Sequence, residues 1–230
     1  MPVSVPFPRK QRSDGEQARA HLLECALRLF SSKGFAKTST REIALAAGAN
    51  LAAISYYFGD KAGLYRAAFT EPMGSASDDI PLYNDPLMTL EQSLTGFFTN
   101  FLEPLKQGEM VQMCTRLHFR EMTEPTGLWA EEVDNGIKPA HAALVDVLGR
   151  HLGLCTADDD LHRLAFSITG LALQIFIGRD IVQAIAPQLL NQPEAIDVWA
   201  ERLVMFACAM VQAEARRRAM PASRLGGNLA

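Results

Sequence analysis

Apolar residues recur three and four positions apart along nearly the whole chain, and Gly and Pro fall between the periodic runs. This is the spacing of amphipathic helices, and no long alternating strand pattern interrupts it. The first run predicts a helix from about Gly15 to Lys33, with Leu22, Leu23, Ala26, Leu27 and Phe30 on one face and Gly34 as its stop. Next comes "TSTREIALAAGANLAAISYYFGDKAGLYRAAF". Ser39 followed by Glu42 fits a capping box, in which the hydroxyl accepts from the amide three residues on and the carboxylate reaches back. Ile43, Ala44 and Ala47 supply a buried stripe, and Gly48 sits where a left-handed stop is needed. Asn50 then caps "LAAISYYF", whose Leu51, Ile54 and Phe58 form one apolar stripe, and Asp60 caps "KAGLYRAAF". Two short helices joined by a tight glycine turn make a helix-turn-helix.

After Phe69 the chain turns rich in Pro, Ser and Asp, which predicts a linker loop over 71–86. Helical segments follow near 87–106, 109–123, 127–153, 157–185 and 193–218. The expected organisation is all-α: a flexible arm over 1–15, a three-helix domain with its helix-turn-helix over 16–70, a helical bundle over 87–218 and a flexible tail over 219–230.

Charge changes the picture. The chain carries −4 overall, yet residues 1–70 hold ten Lys/Arg against five Asp/Glu, or +5, and the remainder twelve against twenty-one, or −9. A basic first third on an acidic body predicts that only the first third meets a polyanion. Cys25, Cys114, Cys155 and Cys208 lie far apart without a Cys-x-x-Cys pair, so buried free thiols are expected. No apolar run reaches the roughly 18–20 residues that cross a bilayer. Basic residues follow a short Pro-rich apolar start, the reverse of a signal peptide, so a cytoplasmic protein without membrane partners is expected. No nucleophile elbow, Walker loop, His-Glu-x-x-His or paired cysteines appear, and no catalytic set or cofactor is expected. Cys114 and His118 share one helix face, but two ligands fall short of a metal's needs and no metal site is assigned.

From Gln17 to Phe69 the chain resembles the TetR family of bacterial transcriptional regulators, without gaps. The resemblance rests on Ser39 and Thr40, Ile43-Ala44, Ala47-Gly48, Tyr56-Tyr57-Phe58, Lys61 and Leu64. Ser55 departs from it, since many members carry a phosphate-touching Tyr there. The Asn50 start and the "YYFGDKAGLY" ending are similar to the CecR-like branch, as are "REMTEPTGLW" at Arg120–Trp129 and the later "IKPAHAALVDVLGRHLGL" and "SITGLALQIFIGRD".

The resemblance implies a regulator of double-stranded DNA. The helix from Leu51 would enter a major groove and present Leu51, Ala52, Ala53 and Ser55 to base edges. None offers a bidentate fork, though Leu and Ala can meet thymine methyls. Arg41 is the best donor to a guanine, and Thr40, Tyr56, Tyr57 and Lys61 would grip phosphates. Lys61 also stands at a helix N-terminus, which favours an anion. One of Tyr56 and Tyr57 is expected to pack inward, and the sequence does not choose between them. Arg9, Lys10 and Arg12 would either track the minor groove or belong to a solvated tail. A homodimer on a palindromic operator is implied, with the last two long helices, apolar on more than one face, forming a four-helix interface. The bundle would take an unknown small hydrophobic effector, with Phe97, Phe101, Met113, Leu117, His118, Trp129 and His141 as candidate lining; the same stripe reads equally as plain core. Arg120 and Glu121 would pair with each other, or Arg120 would receive a carboxylate. The expected outcome is a repressor released from DNA by that effector.

Overall fold

The computed structural model describes residues 10–72 and 74–220, and regular structure among them is helical throughout. The α-helices are α1 (Lys10–Lys37), α2 (Thr40–Ala46), α3 (Leu51–Phe58), α4 (Lys61–Thr70), α5 (Leu90–Leu102), α6 (Glu109–Thr123), α7 (Leu128–Glu132), α8 (Lys138–Leu152), α9 (Asp159–Ile177), α10 (Arg179–Ile185) and α11 (Pro193–Ala219). They form two compact units. One runs to Gly74 and adds Glu109–Ala130; the other holds Ser75–Gly108 and the chain from Glu131 on. The stretch expected as one bundle over 87–218 is therefore divided, with α6 packed among the N-terminal helices.

The core of the first unit explains that division. Leu22, Ala26, Leu27 and Phe30 of α1 pack with Ile43, Ile54, Leu64 and Phe69, and the same cluster takes in Cys114 and Leu117 of α6 and Leu128 of α7. A buried carboxylate adjoins this cluster. Glu121 is 0% exposed. Its Oε2 accepts from the Tyr65 hydroxyl at 2.8 Å. Its Oε1 accepts from the Thr126 amide at 2.6 Å, the Thr126 hydroxyl at 2.8 Å and the Leu128 amide at 3.1 Å. Burial, and then this bond, raise the Tyr65 pKa far above its ordinary value, so Tyr65 always keeps the proton it donates. Arg120, the neighbour, does not pair with Glu121. It donates to the Ser32 carbonyl at 3.2 Å and to Glu124 at 3.1 Å.

In the second unit, α5 buries Leu94, Phe97, Phe98 and Leu102. α8, α9 and α11 contribute Leu144, Val147, Leu148, Leu164, Ile168, Leu203 and Val211. The expected linker is folded here: Ile80–Leu82 make a 3₁₀ turn, and Tyr83 is buried, its hydroxyl donating to the Ala140 carbonyl at 3.1 Å. Asp158 caps α9 by accepting from the Leu161 amide and receives a two-pronged Arg218 at 2.7 and 2.8 Å, tying the end of α11 to the start of α9.

Several expected elements differ in their ends. The first helix starts at Lys10 rather than Gly15, so residues 10–15 are helical and not an arm; Arg9 and the residues from 221 lie outside the described chain. Gly34 does break it, at φ 81 and ψ 169. The segment expected over 127–153 is split by a π-helical stretch, Val133–Ile137, because Pro139 has no N–H to return to Asn135. Gly178 ends α9, and α10 bends away by 67°. No single helix among the described residues is long and apolar enough to cross a membrane. Cys25 and Cys114 are buried as expected, whereas Cys155 is exposed and Cys208 half-buried.

The Tyr65–Glu121 bond generates a stability prediction. Tyr65→Phe keeps the ring and leaves one carboxylate oxygen buried without its donor. It should lower unfolding free energy by about 1–3 kcal/mol, read as a lower urea midpoint at unchanged slope.

Candidate nucleic-acid interface

The turn between α2 and α3 is built by hydrogen bonds that the sequence anticipates. Ser39 Oγ accepts from the Glu42 amide at 3.1 Å and starts α2. Of the expected capping box the Ser39 half is present; the Glu42 carboxylate pairs with Lys33, which holds it below the usual carboxylate range. At the other end, the Gly48 amide donates to the Leu45 carbonyl at 3.1 Å and the Ala49 amide to Ala44 at 2.9 Å. These two bonds form a Schellman stop, with Gly48 at φ 58 in the position that needs a left-handed residue. Asn50 Oδ1 then accepts from the Ala52 amide at 3.0 Å and launches α3.

The end of α3 is equally constrained. Gly59 has φ 79 and ψ −64, and the Asp60 amide donates to the Phe58 carbonyl at 3.0 Å, a tight γ-turn that a side chain would strain. Asp60 Oδ1 caps α4 through the Gly63 amide at 2.8 Å. A Cβ on Gly63 would lie 2.0 Å from the Phe58 carbonyl oxygen, so glycine lets α4 approach the end of α3. "FGDKAG" is thus a rigid corner that fixes the residues on either side.

The faces separate cleanly. Ile54 is buried, Phe58 is half-buried beneath the Arg19 guanidinium at 4.7 Å, and Arg19 is itself paired with Glu71 at 2.6 Å. Leu51, expected in the same stripe, is 49% exposed and belongs to the outer face. Ala52 and Ser55 are exposed beside it, and Ala53 is half-buried against the core. Tyr56 is 82% exposed, while Tyr57 is the one that packs inward; their rings meet edge-on at 4.9 Å. On α2, Thr40 is half-buried at the first turn, and Arg41 is exposed with no partner for its guanidinium among the described residues. Leu45, one turn after Arg41 and 81% exposed, was not anticipated. Its exclusion from the Ile43-Ala44-Ala47 stripe was the available signal. Lys61 Nζ lies 4.3 Å from the Phe35 ring centre. The Gly63 amide of the same helix start is already held by Asp60, which reduces what that terminus offers an anion.

The candidate effector lining is distributed over both units. Phe97 and Phe101 lie in the second, in a chain of ring contacts from Tyr83 through Phe97 and Phe101 to Phe176. Met113, Leu117, His118 and Trp129 lie in the first. Leu117 is buried in its core, Met113 and Trp129 pack against that core, and His118 stacks on Phe69 at 4.1 Å with Nδ1 donating to the Cys114 carbonyl at 2.8 Å. Burial lowers the His118 pKa and pushes the Cys114 thiol up to about 12, so both are neutral near pH 7. His141 faces His162 and Phe166.

Comparison with known proteins agrees with this geometry. The family described as bacterial regulatory proteins, tetR family, matches residues 22–68, and the C-terminal domain of the HTH-type transcriptional dual regulator CecR matches residues 90–213. The chain is 30% identical over 182 residues to the HTH-type transcriptional dual regulator CecR of Shigella flexneri, covering 73% of this chain and 79% of that protein. It is 46% identical over 57 residues to the HTH-type transcriptional regulator AcrR of the same organism, 25% of this chain and 26% of that one. A bacterial regulatory protein in the tetR family from Rhodococcus RHA1 shares the fold with a TM-score of 0.62 at 19% identity, over 85% of this chain and 97% of that one. Matched in both its parts, the chain belongs to the TetR family of bacterial transcriptional regulators, with a C-terminal domain of the CecR type.

Proposed function

We propose that this regulator reads a palindromic operator as a cytoplasmic homodimer, represses from it, and releases it when a small hydrophobic effector binds the C-terminal bundle. The observation that carries the DNA reading is the outward set on α2 and α3. Arg41, Leu45, Leu51, Ala52, Ser55 and Tyr56 are exposed together on the basic third of the chain, on helices whose starts and stops are fixed by caps. In this reading Arg41 donates to a guanine, Leu51 and Ala52 meet thymine methyls, and Tyr56 and Lys61 hold phosphates with Thr40 and Tyr57 at the edges.

Pairing is supported by apolar residues left uncovered on the last long helices. Phe166, Leu173 and Ile177 are exposed on α9, and Val198, Met205 and Phe206 on α11. Side chains of this size at helical spacing are seldom left to water, and a second copy covers both helices at once. For the effector, the ring chain of Phe97, Phe101 and Phe176 in the second unit is the best-supported apolar contact surface. The curated relative's description as a dual regulator keeps activation at some promoters as the second reading.

A gel shift with DNA from upstream of the protein's own gene tests the whole proposal. Binding at low salt is expected, and its absence for every neighbouring fragment overturns the reading. Lys61→Ala should weaken all sequences alike and reduce the slope of log K against log salt by about one for each phosphate contact removed. An unchanged slope excludes the phosphate contact. Arg41→Ala should lose about 1–3 kcal/mol of discrimination at one base pair in each half-site, read by selection from randomised operators. The parent chain should sediment as a dimer at micromolar concentration, and Phe206→Glu should raise the dimer dissociation constant at least about tenfold.

A further inference from the structure

We propose that α10 and the 3₁₀ turn after it, Pro187–Leu189, form an arm that each protomer lays against a second copy of the chain. The inference rests on the pairing reading above and adds to it an element outside the long helices. α10 leaves α9 at Gly178 with a 67° bend, and none of its seven residues is buried. It packs against α9 and the 3₁₀ turn, the two elements joined to it in the chain, and no side chain caps its start. A helix this short is marginal in water on its own, because nucleation fixes several dihedrals for one hydrogen bond. Its apolar residues face outward: Ile181 is 65% exposed and Ile185 79%, and Leu189 is exposed beyond them. Both ends of the arm are tied to the bundle. The Gly178 amide donates to the Gln174 carbonyl at 2.7 Å, Leu190 is buried, and Trp199 Nε1 of α11 donates to the Leu189 carbonyl at 3.0 Å.

Continuity and charge identify the cover. Leu173, Ile177, Ile181 and Ile185 follow one another four residues apart, and all four are exposed. The row starts in the α9 stripe proposed to pair and runs through the bend into α10, so a partner that covers α9 adjoins the arm. Pairing about a two-fold axis uses the same surface on both copies, so each copy both offers an arm and receives one. From Ile181 to Pro193 the chain carries no charge, in a protein whose residues are 21% charged. Depletion of charge marks the buried centre of a protein interface. A helix lying on a lipid surface instead carries Lys and Arg along its polar face, and α10 has Arg179 alone, beside Asp180.

Sedimentation of the full chain carrying Ile181→Glu and Ile185→Glu together tests the arm. The double variant should raise the dimer dissociation constant at least about tenfold. Neither side chain is buried within its own chain, so circular dichroism should be unchanged. Gln183→Glu, exposed on the opposite side of the same helix, should leave the constant unchanged. Amide hydrogen exchange reads the arm without a substitution: protection of α10 should be lost on dilution below the dimer constant, while that of α9 persists. A dimeric parent whose constant the double variant leaves unaltered, or α10 protection independent of concentration, overturns the arm and leaves the pairing reading standing. Equal weakening by Gln183→Glu assigns the effect to net charge and also overturns it. A monomeric parent overturns the pairing reading itself. Vesicles of phosphatidylcholine and phosphatidylglycerol should not carry the parent chain down; binding to them that the double variant abolishes overturns the assignment in favour of a lipid surface.

Discussion

A fully buried carboxylate, Glu121, ties α4 and the start of α7 to the end of α6. Leaving Glu121 buried with a missing partner costs more than its net contribution when satisfied, because the desolvation of the group is then uncompensated. All four of its hydrogen bonds come from neutral donors, and they reach it from α4, from the loop after α6 and from the first amide of α7. Each of those elements is thereby required to sit where it does. Arg120 adds the end of α1 through the Ser32 carbonyl. The "REMTEP" stretch is thus a clamp inside the first unit. It accounts for why α6, although C-terminal in sequence, shares the core of α1 and α4.

With that body fixed, small backbone devices aim the recognition surface. Gly48 turns the chain between α2 and α3, Gly59 turns it again, and the missing Cβ of Gly63 brings α4 against the end of α3. None of these touches a base in the proposed reading. They set the direction in which Arg41, Leu51 and Tyr56 project, and a surface of mostly small or apolar residues depends heavily on being aimed well. With Leu45 and Leu51 exposed, the outer face of α2–α3 has more apolar area than Leu51, Ala52, Ala53 and Ser55 supply. That favours thymine methyls and DNA shape over polar base edges as sources of specificity.

The sequence made the local structure legible and the long-range pairing much less so. Caps at Ser39, Asn50 and Asp60, the stop at Gly48 and the break at Gly34 depend on neighbours a few residues away, and each is found. Which tyrosine turns inward depends on α1 packing across the chain, and only the folded unit assigns Tyr57 to the core. The destination of Glu121 was hidden for the same reason, since its partner Tyr65 lies 56 positions earlier. The stripe of Met113, Leu117, His118 and Trp129 has the period of any buried face, so spacing alone could not separate the core of the first unit from an effector lining. His141 was singled out as a polar group, but its partner sits on the next long helix, 21 residues on, with no periodicity linking the two.

The proposed response to an effector is bounded by energetics. The chain passes from one unit to the other after Gly74, after Gly108 and after Ala130, and the first two crossings fall at glycines with φ of 67 and 73. Backbone rotation there meets no Cβ. The first unit, clamped by Glu121, has no comparable freedom between α4 and α6. In the proposed function, an effector held by Phe97, Phe101 and Phe176 acts by favouring one of two arrangements of the protein. Its influence is bounded by the difference in its affinity for the two arrangements: about 5.5 kcal/mol of preference is needed to move a population from 99:1 to 1:99. A ligand that merely fills space among the rings, equally well in both arrangements, would bind without regulating.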